Sequence, residues 1–224
     1  MFLIDGVAAG AFQHHDALRG VSFGYRKDGK LFRANPGYRF QQFLLCKLCG
    51  SHLALKSKIK EAHPTPWGTK CGGTAFRAHL AHEFETDTLQ IRFDSSLLNA
   101  PEVSKQEFWM SLQTAFVSAA ADVLSIPRSD LDGTYQSQSE KSIQGEIIVY
   151  DRVPGGAGYV YQIIHNLRGI LECALERTKH CKNELCDAEG SCYTCLRSYA
   201  NQFYWDKLRR RDVFEWLEQT LLVV

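Results

Sequence analysis

GEIIVYDRVPGGAGYVYQIIHNLRGILECALERT, residues 145–178, reads as a strand, a glycine-rich turn and a long helix. Ile147, Ile148, Val149 and Tyr150 form the continuous apolar run of a buried strand, and Val160, Ile163, Ile164, Leu167, Ile170, Leu171 and Ala174 recur at helical spacing. Upstream, residues 88–93 (TLQIRF) suit a second strand. Residues 105–124 suit a helix with Phe108, Leu112, Ala115, Phe116, Ala119 and Val123 on one face, opened by Ser104 and Glu107 at capping-box spacing. Pro127 and the SDLDG segment end it. This βαβα order predicts a parallel strand pair joined by a right-handed crossover. Residues 30–45 alternate loosely through Phe32, Tyr38, Phe40, Phe43 and Leu45, as strands do. The expected class is α/β, a small mixed sheet with long helices.

The turn Pro154-Gly155-Gly156-Ala157-Gly158 supports two readings. It is a tight backbone turn, or Gly155, Gly156 and Gly158 offer N–H groups to an anion at a helix N-terminus. It has neither the lysine and hydroxyl of a P-loop nor the spacing of a dinucleotide fingerprint. Asp151, just before it, can accept bonds from its amides.

After the helix, CKNELCDAEGSCYTC places four thiols at Cys181, Cys186, Cys192 and Cys195. Four closely spaced thiolates suit one closed tetrahedral Zn²⁺ site with Zn–S of about 2.3 Å, which leaves no open position for chemistry. Such a site is a folding and docking element. Cys192 and Cys195 are expected to open a helix, whose dipole favours thiolate. Upstream, Cys46-x2-Cys49-Gly50 and Cys71-Gly72-Gly73 resemble the two knuckles of a zinc ribbon inserted near the N-terminus. Gly68 stands where the fourth thiol is expected, so His63 or His52 completes the site, His63 being favoured because it shares the returning segment with Cys71. A ribbon without metal and with Cys71 simply buried is the alternative, and Cys173 in its apolar run is a core residue. Disulfides compete with zinc in an oxidising compartment. The N-terminus has no basic n-region and Asp5 interrupts its apolar stretch, and no run approaches a membrane span, so a cytoplasmic protein with reduced thiols and no membrane contact is expected.

Composition suits a globular chain: 224 residues with 45% hydrophobic content can bury a substantial core. A net charge of +1 argues against a polyanion affinity spread over the whole surface, but leaves room for local basic patches. One such patch is Lys207, Arg209, Arg210 and Arg211, following Phe203, Tyr204 and Trp205, with Arg197 just beyond Cys195. Basic groups neutralise phosphates and aromatics stack on single-strand bases. Alternatively Trp205, Leu208, Val213, Trp216 and Leu217 are the packed face of a terminal helix, with the arginines solvated opposite.

VYDRVPGGAGYV, the four-cysteine signature and SCYTCLRSYANQ together resemble the MrfA-like zinc-binding domain family, found at the C-terminus of superfamily-2 helicases and in components of the DISARM and Druantia anti-phage systems. The similarity takes in AHEFETDTLQIRF and SIPRSDLDGT, so it divides the chain into residues 1–76, strands and ribbon, and residues 77–224, the family domain. The resemblance implies zinc on Cys181, Cys186, Cys192 and Cys195, and association with a superfamily-2 helicase or another defence-system subunit and with DNA. Where the family usually has a histidine and then Leu-Asp-Arg, this chain has Trp205 and Leu208-Arg209-Arg210, keeping the arginine.

Catalytic constellations are not found. There is no GxxxxGK[ST] motif and no DEAD/DEAH box, so the chain does not hydrolyse ATP by P-loop chemistry. His79, His82 and Glu83 do not form HExxH. His14, His15 and Asp16 suit a solvated segment, and Ser137, Ser139 and Ser142 lie in a Gln/Ser-rich loop without a nucleophile elbow. With no catalytic motif found, the resemblance implies a non-catalytic zinc-binding module of a helicase-based DNA-processing system, defence being favoured by family association alone. The alternatives are a protein-interaction scaffold and the C-terminal fragment of a DNA-repair helicase.

Overall fold

The computed structural model describes residues 2–5, 7, 11–35, 37, 41–93, 105–137, 145–179, 181, 183, 186, 187 and 190–222. Its strands, in chain order, are β1 (Phe2–Asp5), β2 (Gln13–His14), β3 (Val21–Asn35), β4 (Phe43–Cys46), β5 (His52–Leu53), β6 (His63–Pro64), β7 (Lys70–Cys71), β8 (Ala75–Ala78) and β9 (Leu80–Phe93). Then follow α1 (Lys105–Val123), β10 (Leu131–Ser137), β11 (Gly145–Asp151), α2 (Tyr159–Lys179), a 3₁₀ stretch at Tyr199–Lys207 and α3 (Arg210–Leu222). No described helix is long and apolar enough to cross a membrane.

The chain forms two compact units, residues 32–83 and residues 2–31 with 84–224. The opening residues thus pack with the later part of the chain, and the cysteine-rich segment is an insertion between β3 and β9. This differs from a division at 76/77, because residues 2–31 carry β1, β2 and most of β3, which belong to the main sheet.

That sheet has the order β1-β3-β9-β11-β10, with β2 on β3. β11 pairs antiparallel with both neighbours, Ile147 facing Ile91 and Tyr135, Val149 facing Leu89 and Gly133. The expected parallel pairing of residues 88–93 with 147–150 is therefore corrected. The chain returns from α1 into β10, which runs the same way as β9, and β11 turns back to lie between the two. β10 (LDGTYQS) stands where its polar composition predicts a helix terminator and a loop; Ser139 and Ser142 of that loop, and Ser104 of the capping box, lie outside the described residues. Every residue of β11 is buried. The continuous apolar run thus reports burial on both faces, and in this sheet that burial does not require parallel strands.

Helices α1 and α2 pack on each other and on β11, α1 packs also on β10, and α3 packs on both helices. Leu112, Phe116, Ala119, Ile147, Val149, Ile163, Leu167, Ile170, Val213 and Leu217 share this core, with Phe93, Trp109 and Trp216 stacked at one end. Cys173 packs at its edge, as expected, where burial raises its thiol pKa. Val123, expected on the buried face of α1, is exposed at the helix end. Residues of the N-terminal segment also lie against the sheet: Phe12 stacks under Arg92, and the Val7 amide donates to Gln90. The buried Glu146 is held by Gln90 and Arg92.

The inserted unit is built differently. β5, β4 and β8 form a three-stranded sheet, and β6 and β7 a two-residue ladder. Its buried apolar cluster is Leu44, Leu53 and Ala75.

Candidate metal centres

In the inserted unit, β4 ends on Cys46 and turns through Cys49, while β6 and β7 carry His63 and Cys71 side by side. The four ligand atoms lie within 4.8 Å of one another. Cys46 Sγ is 3.8 Å from Cys71 Sγ, and Cys49 Sγ is 3.4 Å from His63 Nε2. Tetrahedral thiolates at about 2.3 Å from zinc stand about 3.8 Å apart, so the spacing fits the ion. The Leu48 and Gly73 amides donate to Cys46 and Cys71, the N–H···S bonds that glycine-bearing knuckles permit. The Cβ of any other residue at 73 would lie 2.6 Å from Cys46 Sγ. His63 Nδ1 faces the Glu61 carbonyl at 2.8 Å, which places the proton on Nδ1 and leaves Nε2 free to ligate. His52, the other candidate, is exposed and edges onto Phe43. The Ser51 hydroxyl and amide, with His63 beside the sulfur, bring the Cys49 thiol down to about 6.

The second cluster lies between α2 and the 3₁₀ stretch. Sγ–Sγ separations are 3.4 Å for Cys181–Cys192, 3.9 Å for Cys186–Cys195 and 3.8 Å for Cys192–Cys195, again the spacing of a tetrahedral site. Every cysteine of the chain is free of disulfide. Cys192 to Cys195 is a turn, not the start of a helix: the amides of Cys195, Leu196 and Arg197 all donate to the Cys192 carbonyl, and the Cys192 amide to Cys195 Sγ. One carbonyl taking three amides closes a knuckle too tight for helical geometry. Against the upward push of burial, hydrogen bonds from the Cys181 thiol and the Thr194 amide bring Cys192 down to about 6. Burial pushes the Cys186 and Cys195 thiols the other way.

This cluster is fastened to the helical core. Cys195 and Leu196 are buried in it, and Arg177 of α2, which also contacts Asp122 of α1, donates to the Thr194 and Cys195 carbonyls. Arg210 does the rest. Its guanidinium donates to the carbonyls of Thr178 and Lys179 at the end of α2 and of Asp187 between the ligands, while its own amide reaches the Gly190 carbonyl. At 9% exposed it is an internal clasp, not the nucleic-acid contact expected from its place in a basic run. A signal was present: 210, 213 and 217 fall on one face of α3, and Val213 and Leu217 are core.

The other residues of that expected surface are dispersed. Trp205 is half-buried, its indole N–H shared by the Ser198 carbonyl and Asn201, with Tyr193 and Arg197 against its ring. Arg197 also donates to Ser191. Arg209 pairs with Glu107 and Arg211 with Glu215. Tyr204 and Phe203 are exposed, the latter at 82%, and the structure adds Tyr199, 79% exposed.

The Gly155–Gly158 turn takes its anion from within the chain. The buried Asp151 carboxylate accepts from the amides of Ala157, Tyr159 and Val160, occupying the N-terminus of α2, and the Gly155 and Gly156 amides go to the carbonyls of Glu85 and Val153. This corrects the alternative of an external anion there. His79 meets Gln42, and no metal cluster among the described residues includes His79, His82 or Glu83.

Residues 112–196 match the family described as the MrfA Zn-binding domain. The Druantia protein DruE of Escherichia coli (strain UMEA 4076-1) is 27% identical over 226 residues, covering 89% of this chain and 12% of DruE. The crystal structure of the DUF1998 helicase MrfA bound to DNA shares the fold with a TM-score of 0.55 at 14% identity, over 93% of this chain and 23% of the helicase chain. The chain thus spans a small part of the length of both proteins.

Proposed function

From a zinc-binding domain of the MrfA type at residues 112–196, we propose that this chain is the non-catalytic zinc module of a helicase-based DNA-processing system, as part of an anti-phage defence. Zinc sits on Cys181, Cys186, Cys192 and Cys195 and, in the inserted ribbon, on Cys46, Cys49, His63 and Cys71. The observation that carries this reading is the clasp of Arg177 and Arg210 on the four-thiol loop, since it makes the metal a fastener between α2, α3 and the segment that follows. Zinc supplies a charge-neutralising cross-link there. The DruE and MrfA likenesses support placement in a helicase system, of which this chain is one portion.

Tyr199, Phe203 and Tyr204 form the docking ledge for the helicase body. The neighbouring arginines Arg209 and Arg211 are paired with carboxylates, and outside residues 32–83 the chain has 18 Lys/Arg against 23 Asp/Glu, a balance better suited to a protein partner than to a polyanion. Purification from native cells followed by mass spectrometry tests this. A superfamily-2 ATPase should accompany the chain, or be continuous with it, and a Phe203→Ser/Tyr199→Ser variant with full zinc content should lose a separately encoded one. Recovery without any ATPase overturns the proposal.

A further inference from the structure

Charge is distributed very unevenly along this chain. Residues 32–83 carry eight Lys/Arg and two Asp/Glu, so the ribbon unit is strongly basic while the remainder is acidic. Lys47, Lys56, Lys58, Lys60 and Lys70 are all exposed, and none of these five ammonium groups stands in a salt bridge among the described residues. Large apolar groups are exposed among them: Leu48 at 77%, Trp67 at 73%, and Ile59, Phe76 and Leu80.

The backbone gathers Lys47, Lys58, Lys60 and Phe76. The Lys47 amide donates to the Thr74 carbonyl and the Ala75 amide to the Ile59 carbonyl, which brings the first knuckle and the Lys58–Lys60 loop to the start of β8. Lys47 Nζ then lies 5.9 Å from the Phe76 ring. Trp67 stands at the tip of the β6–β7 turn, beside Lys70, and that tip is braced: the Thr65 amide donates to the Thr69 carbonyl at 2.7 Å, the Thr69 amide to the Thr65 hydroxyl, and the Gly68 amide to the Thr65 carbonyl. An indole held out in solvent on a braced turn loses little freedom on stacking. Unpaired ammonium groups interleaved with exposed rings match a strand that offers phosphates and unstacked bases together.

We propose that the ribbon unit binds single-stranded DNA, with Lys47, Lys58, Lys60 and Lys70 on phosphates and Trp67 and Phe76 stacked on bases. Single-strandedness follows from the rings, which a duplex would leave without partners. The choice of DNA rests on the helicase reading above.

The test is fluorescence anisotropy of the full zinc-loaded chain with labelled oligothymidylate, oligouridylate and a duplex, at about 50 and about 200 mM salt. Oligothymidylate should bind more tightly than the duplex. Lys58→Gln/Lys60→Gln should lower affinity at low salt and reduce the salt slope by about 0.7 per lost contact. Trp67→Ala should weaken binding by about tenfold and leave the slope unchanged. Arg19→Glu, on the other unit, should change neither. Two zinc ions per chain in each variant show that the ribbon has kept its fold. No binding by the unaltered chain at low salt, equal binding of the duplex, preference for oligouridylate, or Trp67→Ala and Lys58→Gln/Lys60→Gln variants that bind like the unaltered chain would each overturn the proposal. The helicase reading, judged by the accompanying ATPase, is unaffected by these outcomes.

Discussion

Asp151 is the residue on which the strand-turn-helix unit closes. Its carboxylate accepts three amides at the head of α2, and the chain can wrap it because Gly155, Gly156 and Gly158 take positive φ. Gly156 is the most constrained, since a Cβ there would stand 2.5 Å from the Asp87 carboxyl carbon. Asp151→Ala leaves three amides without their acceptor, that of Val160 buried and the other two partly open to water, and should cost about 2–3 kcal/mol; Gly156→Ala, combining left-handed backbone with that clash, should cost about 2–4 kcal/mol. Urea denaturation of both variants measures this. Arg210 is the second decisive residue. Arg210→Met should destabilise by about 2–4 kcal/mol and loosen zinc at the nearby cluster, whereas Arg209→Met, losing an exposed pair with Glu107, should stay within about 0.5 kcal/mol. Chemical denaturation with a zinc-release readout separates the two.

At the scale of elements, the two knuckles determine when the thiols are ready for metal. Cys49 and Cys192 are both depressed to about 6, so in the folded arrangement near neutral pH they are ready as thiolates, while burial holds Cys186 and Cys195 protonated. In zinc-stripped protein, where the helical core persists, iodoacetamide with mass mapping should therefore label Cys192 before Cys186 and Cys195. Protons compete with the metal for the thiolates and for His63, so zinc retention at both clusters should decline as pH falls below neutral. A chelator competition series across that range reads it directly. Much of this was legible beforehand: CxxCG and CxxC report knuckles because a two-residue spacing returns two sulfurs to one point, and CGG marks the second arm of the ribbon. The turn at Cys192 was not, since hydrophobic periodicity does not distinguish a one-carbonyl knuckle from a helix start.

For the whole molecule, the two units depend on metal to different degrees. Residues 32–83 hold together around Leu44, Leu53 and Ala75, too little apolar surface for a stable core, whereas α1, α2 and β11 share a large one. Chelation should abolish amide-exchange protection in residues 32–83 while β11, α1 and most of α2 remain protected. Exchange monitored by mass spectrometry after zinc removal checks this, and uniform loss across the chain would contradict it.

The sequence by itself determined α1, α2, the buried strand and the four-thiol set, and it narrowed the ribbon's fourth ligand to two histidines and Asp151 to a partner for the turn's amides, because each is a local pattern: a period, a spacing, or a side chain a few residues from the amides it binds. Only the tertiary structure decided that β11 lies antiparallel between β9 and β10, that residues 2–31 join the main sheet, and that Arg210 faces inward while its neighbours face outward. Strand order and the direction of a long side chain depend on which distant surfaces meet. The polar strand LDGTYQS and the run Arg209-Arg210-Arg211 carry no local mark of those partners.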